Sequence, residues 1–197
     1  ADQEDYRQSR FKPIAFELEA QGRLDDVGTK GRHAITVKGR LDRVDRRDDP
    51  PALRIIDYKV KVGSGMKSED HHLLQAAVRG FRLQPPLYAL IEVPGQPAPG
   101  HVDFVFLAPK WERPIDRSTF PASVWQSHAG AQLRETIATL IDGIAAGRFF
   151  ILPGGYCDSC EYAVACRRFH GPTWWRASRA APAKGLRELR IRRVSDE

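Results

Sequence analysis

Apolar and polar positions alternate through much of the first sixty residues. Ile14, Phe16 and Leu18 alternate with Ala15, Glu17 and Glu19, which predicts a half-buried strand. Asp25 to Gly31 reads as a polar turn, and His33 to Lys38 as a second strand rich in β-branched residues. Past Gly39, Arg40 to Arg46 alternates apolar with charged residues, and Asp48-Asp49-Pro50-Pro51 is a strong break. Leu53 to Val60 is a further strand with an apolar centre. Lys61 to Lys67, with two glycines, reads as a loop, and Ser68-Glu69-Asp70 as the cap of a short helix running to about Gly80. Pro85-Pro86 opens a helix expected to reach Val93, because proline suits a first helical turn. His101 to Ala108 is a strand. Leu133, Ile137, Leu140, Ile141 and Ile144 fall at helical spacing, with Gly147 closing that helix. The order of several antiparallel strands, helix, strand, helix predicts an α+β or mixed α/β domain, without internal repeats.

The break at 48–51 makes a hairpin of the strands on either side. If the turn centres between Asp49 and Pro50, Asp42 stands opposite Asp57. Carboxylates placed directly across a sheet repel and call for compensation. A divalent cation supplies it, and hard oxygen ligands suit Mg²⁺ or Mn²⁺. Lys59 lies two residues beyond Asp57 and so on the same strand face. A bound cation acidifies water and polarises a phosphoryl group, and an adjacent ammonium stabilises phosphate charge, so these parts suit phosphodiester hydrolysis. D-x-K on a strand is by itself also a plain solvated ion pair. Three features favour chemistry: Asp57 ends an apolar run, a second Asp has a compatible position, and a helix with polar residues follows.

No run of eighteen apolar residues is present, so no membrane span is expected. The N-terminal residues lack the apolar centre of an export signal. Met66 is the only methionine, and a fragment of a longer protein is the expectation. Between Arg167 and Arg193 nine Lys or Arg stand against one Glu. That favours a polyanion, with nucleic acid the first candidate, or else a solvated tail. Three cysteines crowd between 157 and 166, which is unlike a secreted disulfide scaffold and fits a metal site in a reduced, cytoplasmic setting.

G-R-L-D-R-V-D at 39–45, I-I-D-Y-K at 55–59, L-Q-P-P-L-Y at 83–88 and C-x₂-C-x₅-C at 157–166 together resemble the PD-(D/E)XK nuclease superfamily. The branch most similar is that of AddB- and RecB-type recombination nucleases and CRISPR-associated exonucleases. The resemblance implies a restriction-endonuclease-like α/β core, a mixed central sheet flanked by helices. It implies that Asp42 and Asp57 ligate Mg²⁺ or Mn²⁺ with the Tyr58 carbonyl, that Lys59 is the catalytic lysine, and that Gln84 and Tyr88 form a Q-x₃-Y element. Four residues apart at a helix start, Gln84 and Tyr88 share a face and reach either the Lys59 region or the DNA backbone; Tyr88 is otherwise a core aromatic. The branch usually carries a His or Glu ligand on a helix upstream of the first strand. No clear counterpart precedes Ile14, Glu4 aside, so that helix is expected to be truncated. Val60-Lys61 also replaces the Thr-Gly that commonly follows the lysine.

In this branch the cysteine spacing closes a [4Fe–4S] cluster whose fourth Cys lies far upstream. Cys157, Cys160 and Cys166 thus imply such a cluster in the full-length protein, or else Zn²⁺ with His170 as fourth ligand; three inert thiols are a third outcome. Trp174 and Trp175 with Arg176 and Arg179 either stack bases and bind phosphates or pack the tail. The division expected is a nuclease domain over 1–170 and a basic tail over 171–197. The function implied is that of a metal-dependent, exonuclease-type deoxyribonuclease in double-strand break repair or recombination, partnered by a helicase. The alternatives are a non-catalytic DNA-binding or scaffolding module of the same fold, and action on RNA.

Overall fold

A computed structural model of the chain describes residues 8–27, 33–61, 72–108, 115–149, 157, 160–167 and 169–194. The strands are β1 (Lys12–Val27), β2 (His33–Asp48), β3 (Pro51–Val60), β4 (Ile91–Glu92), β5 (Pro99–Leu107) and β6 (Ile115–Pro121). They form one sheet in the order β4-β1-β2-β3-β5-β6. Only β3 and β5 pair in parallel; the other neighbours are antiparallel. The helices are α1 (Leu73–Val78), α2 (Gln84–Tyr88), α3 (His128–Ala145), α4 (Gly171–Arg179) and α5 (Lys184–Ile191). A mixed six-stranded sheet flanked by helices is the restriction-endonuclease-like α/β arrangement.

Several expected boundaries shift. β1 runs on to Val27, past the start of the expected turn, and the stretches 33–38 and 40–46 are one strand through Gly39. Long-range pairing decides both, since the two strands stay in register from Lys12 with Arg46 to Val27 with His33, with two irregularities. The expected helix to Val93 stops at Tyr88, and Ile91–Glu92 becomes the edge strand β4. Gly22 makes room for that strand: a Cβ there would collide with the Leu90 carbonyl. β6 and the two C-terminal helices carry no element in the sequence reading. The loop and cap expected at 61–70 fall almost entirely outside the described residues.

The core lies between the sheet and α1 to α3. Leu53 and Ile55 on β3 and Val102, Phe104 and Phe106 on β5 share this face and are all at most 1% exposed. Against them α3 presents Ala129, Leu133, Thr136 and Ile137, a helical stripe. Ser127 caps α3, its side chain accepting from the Gly130 N–H. The Trp125 indole donates to the Pro86 carbonyl at 3.0 Å and pins α2 beneath the sheet.

On the opposite face a charged group is closed to solvent. Asp45 accepts from Arg43 at 2.6 and 3.1 Å and from Arg54 at 2.6 Å. All three side chains are buried. Phe11 lies under the Arg54 and Arg47 guanidinium groups, 4.6 and 5.0 Å from its ring centre.

The C-terminal basic segment packs on the domain through α5, where Leu189 is 1% exposed. Its arginines bond largely to backbone. Arg190 donates to the Arg79 carbonyl and stacks on Phe81, while Arg192 reaches the Gln132 carbonyl and Glu135. Gln75 donates to the Arg192 carbonyl and accepts from the Val194 N–H.

Candidate active site

The β2–β3 hairpin turns through a cis Asp49–Pro50 peptide. Its paired residues run from Asp48 with Pro51 to Arg43 with Ile56. This is the register of a turn centred between Asp49 and Pro50, and the next step along it sets Asp42 opposite Asp57. Backbone pairing stops there, and the Asp42 carboxylate takes over, its Oδ2 accepting from the Tyr58 N–H at 2.8 Å. β3 meanwhile continues beside β5 as far as Val60 with Leu107. A fork therefore opens between β2 and β3 where the two carboxylates sit.

The fork coincides with a break in the alternation of β2. Leu41 and Val44 are both fully buried in one core although they are three residues apart. Across from Asp42, Glu17 of β1 has a φ of 50°, a left-handed conformation uncommon outside glycine. An irregular pair of strands thus presents Asp42 at this position.

Lys59 and Gln84 complete the arrangement. Lys59 Nζ lies 2.5 Å from Asp57 Oδ2, donates to Gln84 Oε1 at 2.8 Å, and sits 4.7 Å from the centre of the Phe104 ring. Gln84 Nε2 donates to Asp57 Oδ1 at 2.6 Å and to the Tyr88 hydroxyl at 2.8 Å. Tyr88 in turn donates to the Arg40 carbonyl at 3.1 Å. A single side chain on α2 thereby ties together the carboxylate and ammonium of β3, and Tyr88 ties α2 to β2.

The electrostatics of this cluster are unbalanced. Asp57 is 3% exposed. Burial pushes its pKa up; hydrogen bonds to Lys59 and Gln84 and the Lys59 charge pull it back, while the Asp42 charge adds to the rise. Tyr88 is raised as well, first by burial, against the Gln84 hydrogen bond and with the charges of Asp57 and Asp42 adding to the rise. Asp57 Oδ2 has the Lys59 ammonium as its partner, while Oδ1 takes the Gln84 amide. A buried carboxylate whose pKa is raised by burial and by a second carboxylate, with one oxygen held only by the Lys59 ammonium, fits a divalent cation held by hard oxygen donors.

Gly39 supports the cluster from below. A Cβ at this position would lie 2.8 Å from Tyr88 Cε1 and 3.2 Å from Ile91 Cδ1. Gly39→Ala is expected to displace the Tyr88 ring and to destabilise the chain by about 1–3 kcal/mol, the usual range for overpacking. Urea denaturation measures this, and an unchanged midpoint would show that the ring moves aside freely.

A profile of the PD-(D/E)XK nuclease superfamily matches residues 1–167. This chain belongs to the PD-(D/E)XK nuclease superfamily. Nuclease activity is what that membership implies. No curated protein matches the chain significantly. The solved structure of SSO0001 is similar at 14% identity, covering 84% of this chain and 64% of that one, with a TM-score of 0.44.

Within this PD-(D/E)XK chain, Asp42, Asp57, Lys59, Gln84 and Tyr88 meet in one cluster, with the Tyr58 backbone bonded to it through Asp42. Among the described residues no group of three or more His, Cys, Asp or Glu is placed to hold a metal ion. Cys157 is buried, whereas Cys160 and Cys166 are partly exposed, and the structure does not gather them with His170. The His170 ring instead meets Thr173 at 2.8 Å. Glu4 lies outside the described residues. Arg176 and Arg179 are on α4, none of whose residues is buried, with Arg179 stacked 4.5 Å from the Trp175 ring centre. No helix among the described residues is long and apolar enough to cross a membrane. Sequence reasoning missed the Arg43–Asp45–Arg54 group. Its signal was an arginine inside the apolar run Leu53 to Ile56.

Proposed function

We propose that this nuclease domain is a Mg²⁺- or Mn²⁺-dependent deoxyribonuclease of exonuclease type. Its setting would be double-strand break repair or recombination, within a helicase–nuclease of the AddB or RecB kind in the cytoplasm. The observation that carries the metal-dependent reading is the fork, where Asp42 and Asp57 oppose each other beside Lys59 and Gln84. Asp42 and Asp57 would hold the cation together with the Tyr58 carbonyl. In an extended strand a residue's N–H and C=O project to the same edge; the Tyr58 N–H meets Asp42, so its carbonyl opens toward that side too. The bound cation supplies Lewis acidity toward the phosphate and toward attacking water. Lys59 stabilises charge on the phosphate, and Gln84 with Tyr88 orients Lys59 and the strand.

The preference for DNA, the helicase partner and the break-repair setting rest on the motif resemblance. Arg176 and Arg179, beside half-exposed Trp174 and Trp175, fit a nucleic-acid strand by charge and stacking. Cys157, Cys160 and Cys166 are proposed to serve a [4Fe–4S] cluster in the full-length protein, or Zn²⁺ with His170. Residues 171–197 are proposed as the basic extension of a nuclease domain spanning 1–170.

End-labelled single- and double-stranded DNA, with RNA of the same sequence, tests the reading. Cleavage of DNA with Mg²⁺ or Mn²⁺, abolished by EDTA, is the expected result. DNA binding with neither cleavage nor Mn²⁺ binding would favour the scaffolding role.

A further inference from the structure

Tyr58 is held at both its backbone and its side chain at the point where the hairpin ladder ends. At the strand edge its N–H donates to Asp42 Oδ2 at 2.8 Å. On the face of the sheet away from the α1–α3 core its hydroxyl accepts from Arg43 Nη1 at 3.2 Å. Each partner adjoins a carboxylate of the site: Arg43 follows Asp42, and Tyr58 follows Asp57. Arg43 is itself immobilised, since two of its nitrogens grip Asp45 at 2.6 and 3.1 Å and Arg54 holds Asp45 from the other side at 2.6 Å. Hydrogen-bonded forks of this kind fix the plane of a guanidinium as well as its charge.

We propose that Arg43 is a positioning residue for the metal site. By clamping the Tyr58 hydroxyl from the far face, it fixes the width of the fork and so the spacing of Asp42 and Asp57. The buried Arg43–Asp45–Arg54 group is the anchor of that clamp. Removing a backbone ladder pair lets two strands splay; here the clamp and the Asp42 bond replace the missing pair, and loss of either lets the carboxylates drift. The inference rests on the metal-dependent reading above, and it deepens it.

Tyr58→Phe deletes one hydroxyl and leaves the ring, the backbone N–H and both carboxylates in place. Two measurements on the whole chain test the clamp: Mn²⁺ affinity by calorimetry, and hydrogen exchange of the residue 58 amide without metal. The expected result is a Kd for Mn²⁺ weaker on the order of tenfold, the usual effect of losing a group that orients a ligand. The residue 58 amide should also exchange on the order of tenfold faster while those of Ile55 and Ile56 hold, with the fold retained and Tm lower by only a few degrees for one lost hydrogen bond. Arg43→Lys keeps a charge beside Asp45 but loses the fork, and its loss of affinity should not add to that of Tyr58→Phe. If Arg43→Lys fails to fold, Tyr58→Phe alone decides. In a parent that binds Mn²⁺, an unchanged Kd or an unchanged amide in Tyr58→Phe overturns the proposal, as do additive losses. If the parent binds no Mn²⁺, the metal reading fails separately, and the amide decides: faster exchange supports the clamp, and unchanged exchange overturns it.

Discussion

Replacing Asp57 by Asn is expected to abolish Mn²⁺ binding and to lower DNA cleavage on the order of a thousandfold or more. The fold itself should survive. Asp57 is buried beside a second carboxylate, and in the metal-free chain its ionised form is disfavoured. An amide at that position keeps the shape, removes the repulsion with Asp42 and costs the Lys59 ion pair. The two changes oppose each other, so Tm without metal should shift little or rise. A raised carboxylate pKa means that the folded state holds the proton more tightly than the unfolded chain. Asp57 therefore adds stability at low pH, and that contribution is lost as pH rises through its folded pKa. The substitution removes this slope. With Mn²⁺ at a hundred times the Kd, the parent should gain about 2.7 kcal/mol and Asp57→Asn nothing. Calorimetry and thermal unfolding at several pH values check both statements. A variant that still binds Mn²⁺ would remove Asp57 from the ligand set.

A larger effect on stability is expected on the far face. Asp45→Ala removes the carboxylate shared by two buried guanidinium groups, Arg43 and Arg54. Hydrogen bonds to Asp45 and Tyr58 outweigh burial and keep the Arg43 charge firmly in place, so neutralising it is no escape. Two like charges would then face each other without water. Breaking a buried pair in this way costs about 3–5 kcal/mol. For a chain of this size that is a Tm lower by roughly 6–20 °C, read by circular dichroism. A loss under about 1 kcal/mol would mean that water enters and solvates the arginines.

Much of the site was legible because its signals are local. The Pro-rich break set the hairpin register and so placed Asp42 against Asp57, and the two-residue spacing put Lys59 on the same face. The position of Gln84 was less accessible. Its helical spacing to Tyr88 was plain, but which of several polar surfaces that helix met depended on α2 being pinned by Trp125, forty residues away. The edge strand β4 was read as helix because Leu87 to Val93 is apolar at either period, and only the absence of a side chain at Gly22 explains the choice. The physical reason for the glycine in the G-R-L-D motif, the Tyr88 ring resting on it, exists only in three dimensions. Arg43 and Asp45 stand at charged positions of an alternating strand, and sequence alone does not show that Arg54 meets Asp45 across the hairpin or that Phe11 covers its guanidinium.

The bonds from Gln75 to the Arg192 carbonyl and the Val194 N–H join groups more than a hundred positions apart. Both groups on the far side are main chain, so the join is indifferent to which side chains stand at 192 and 194. It is sensitive to order in time. On a ribosome the strands and α2 are made long before residues 184–194 emerge, and until then one flank of α1 and α3 has nothing to meet. The closing of this domain therefore waits on residues 184–194 and is slow in the way that distant contacts are slow.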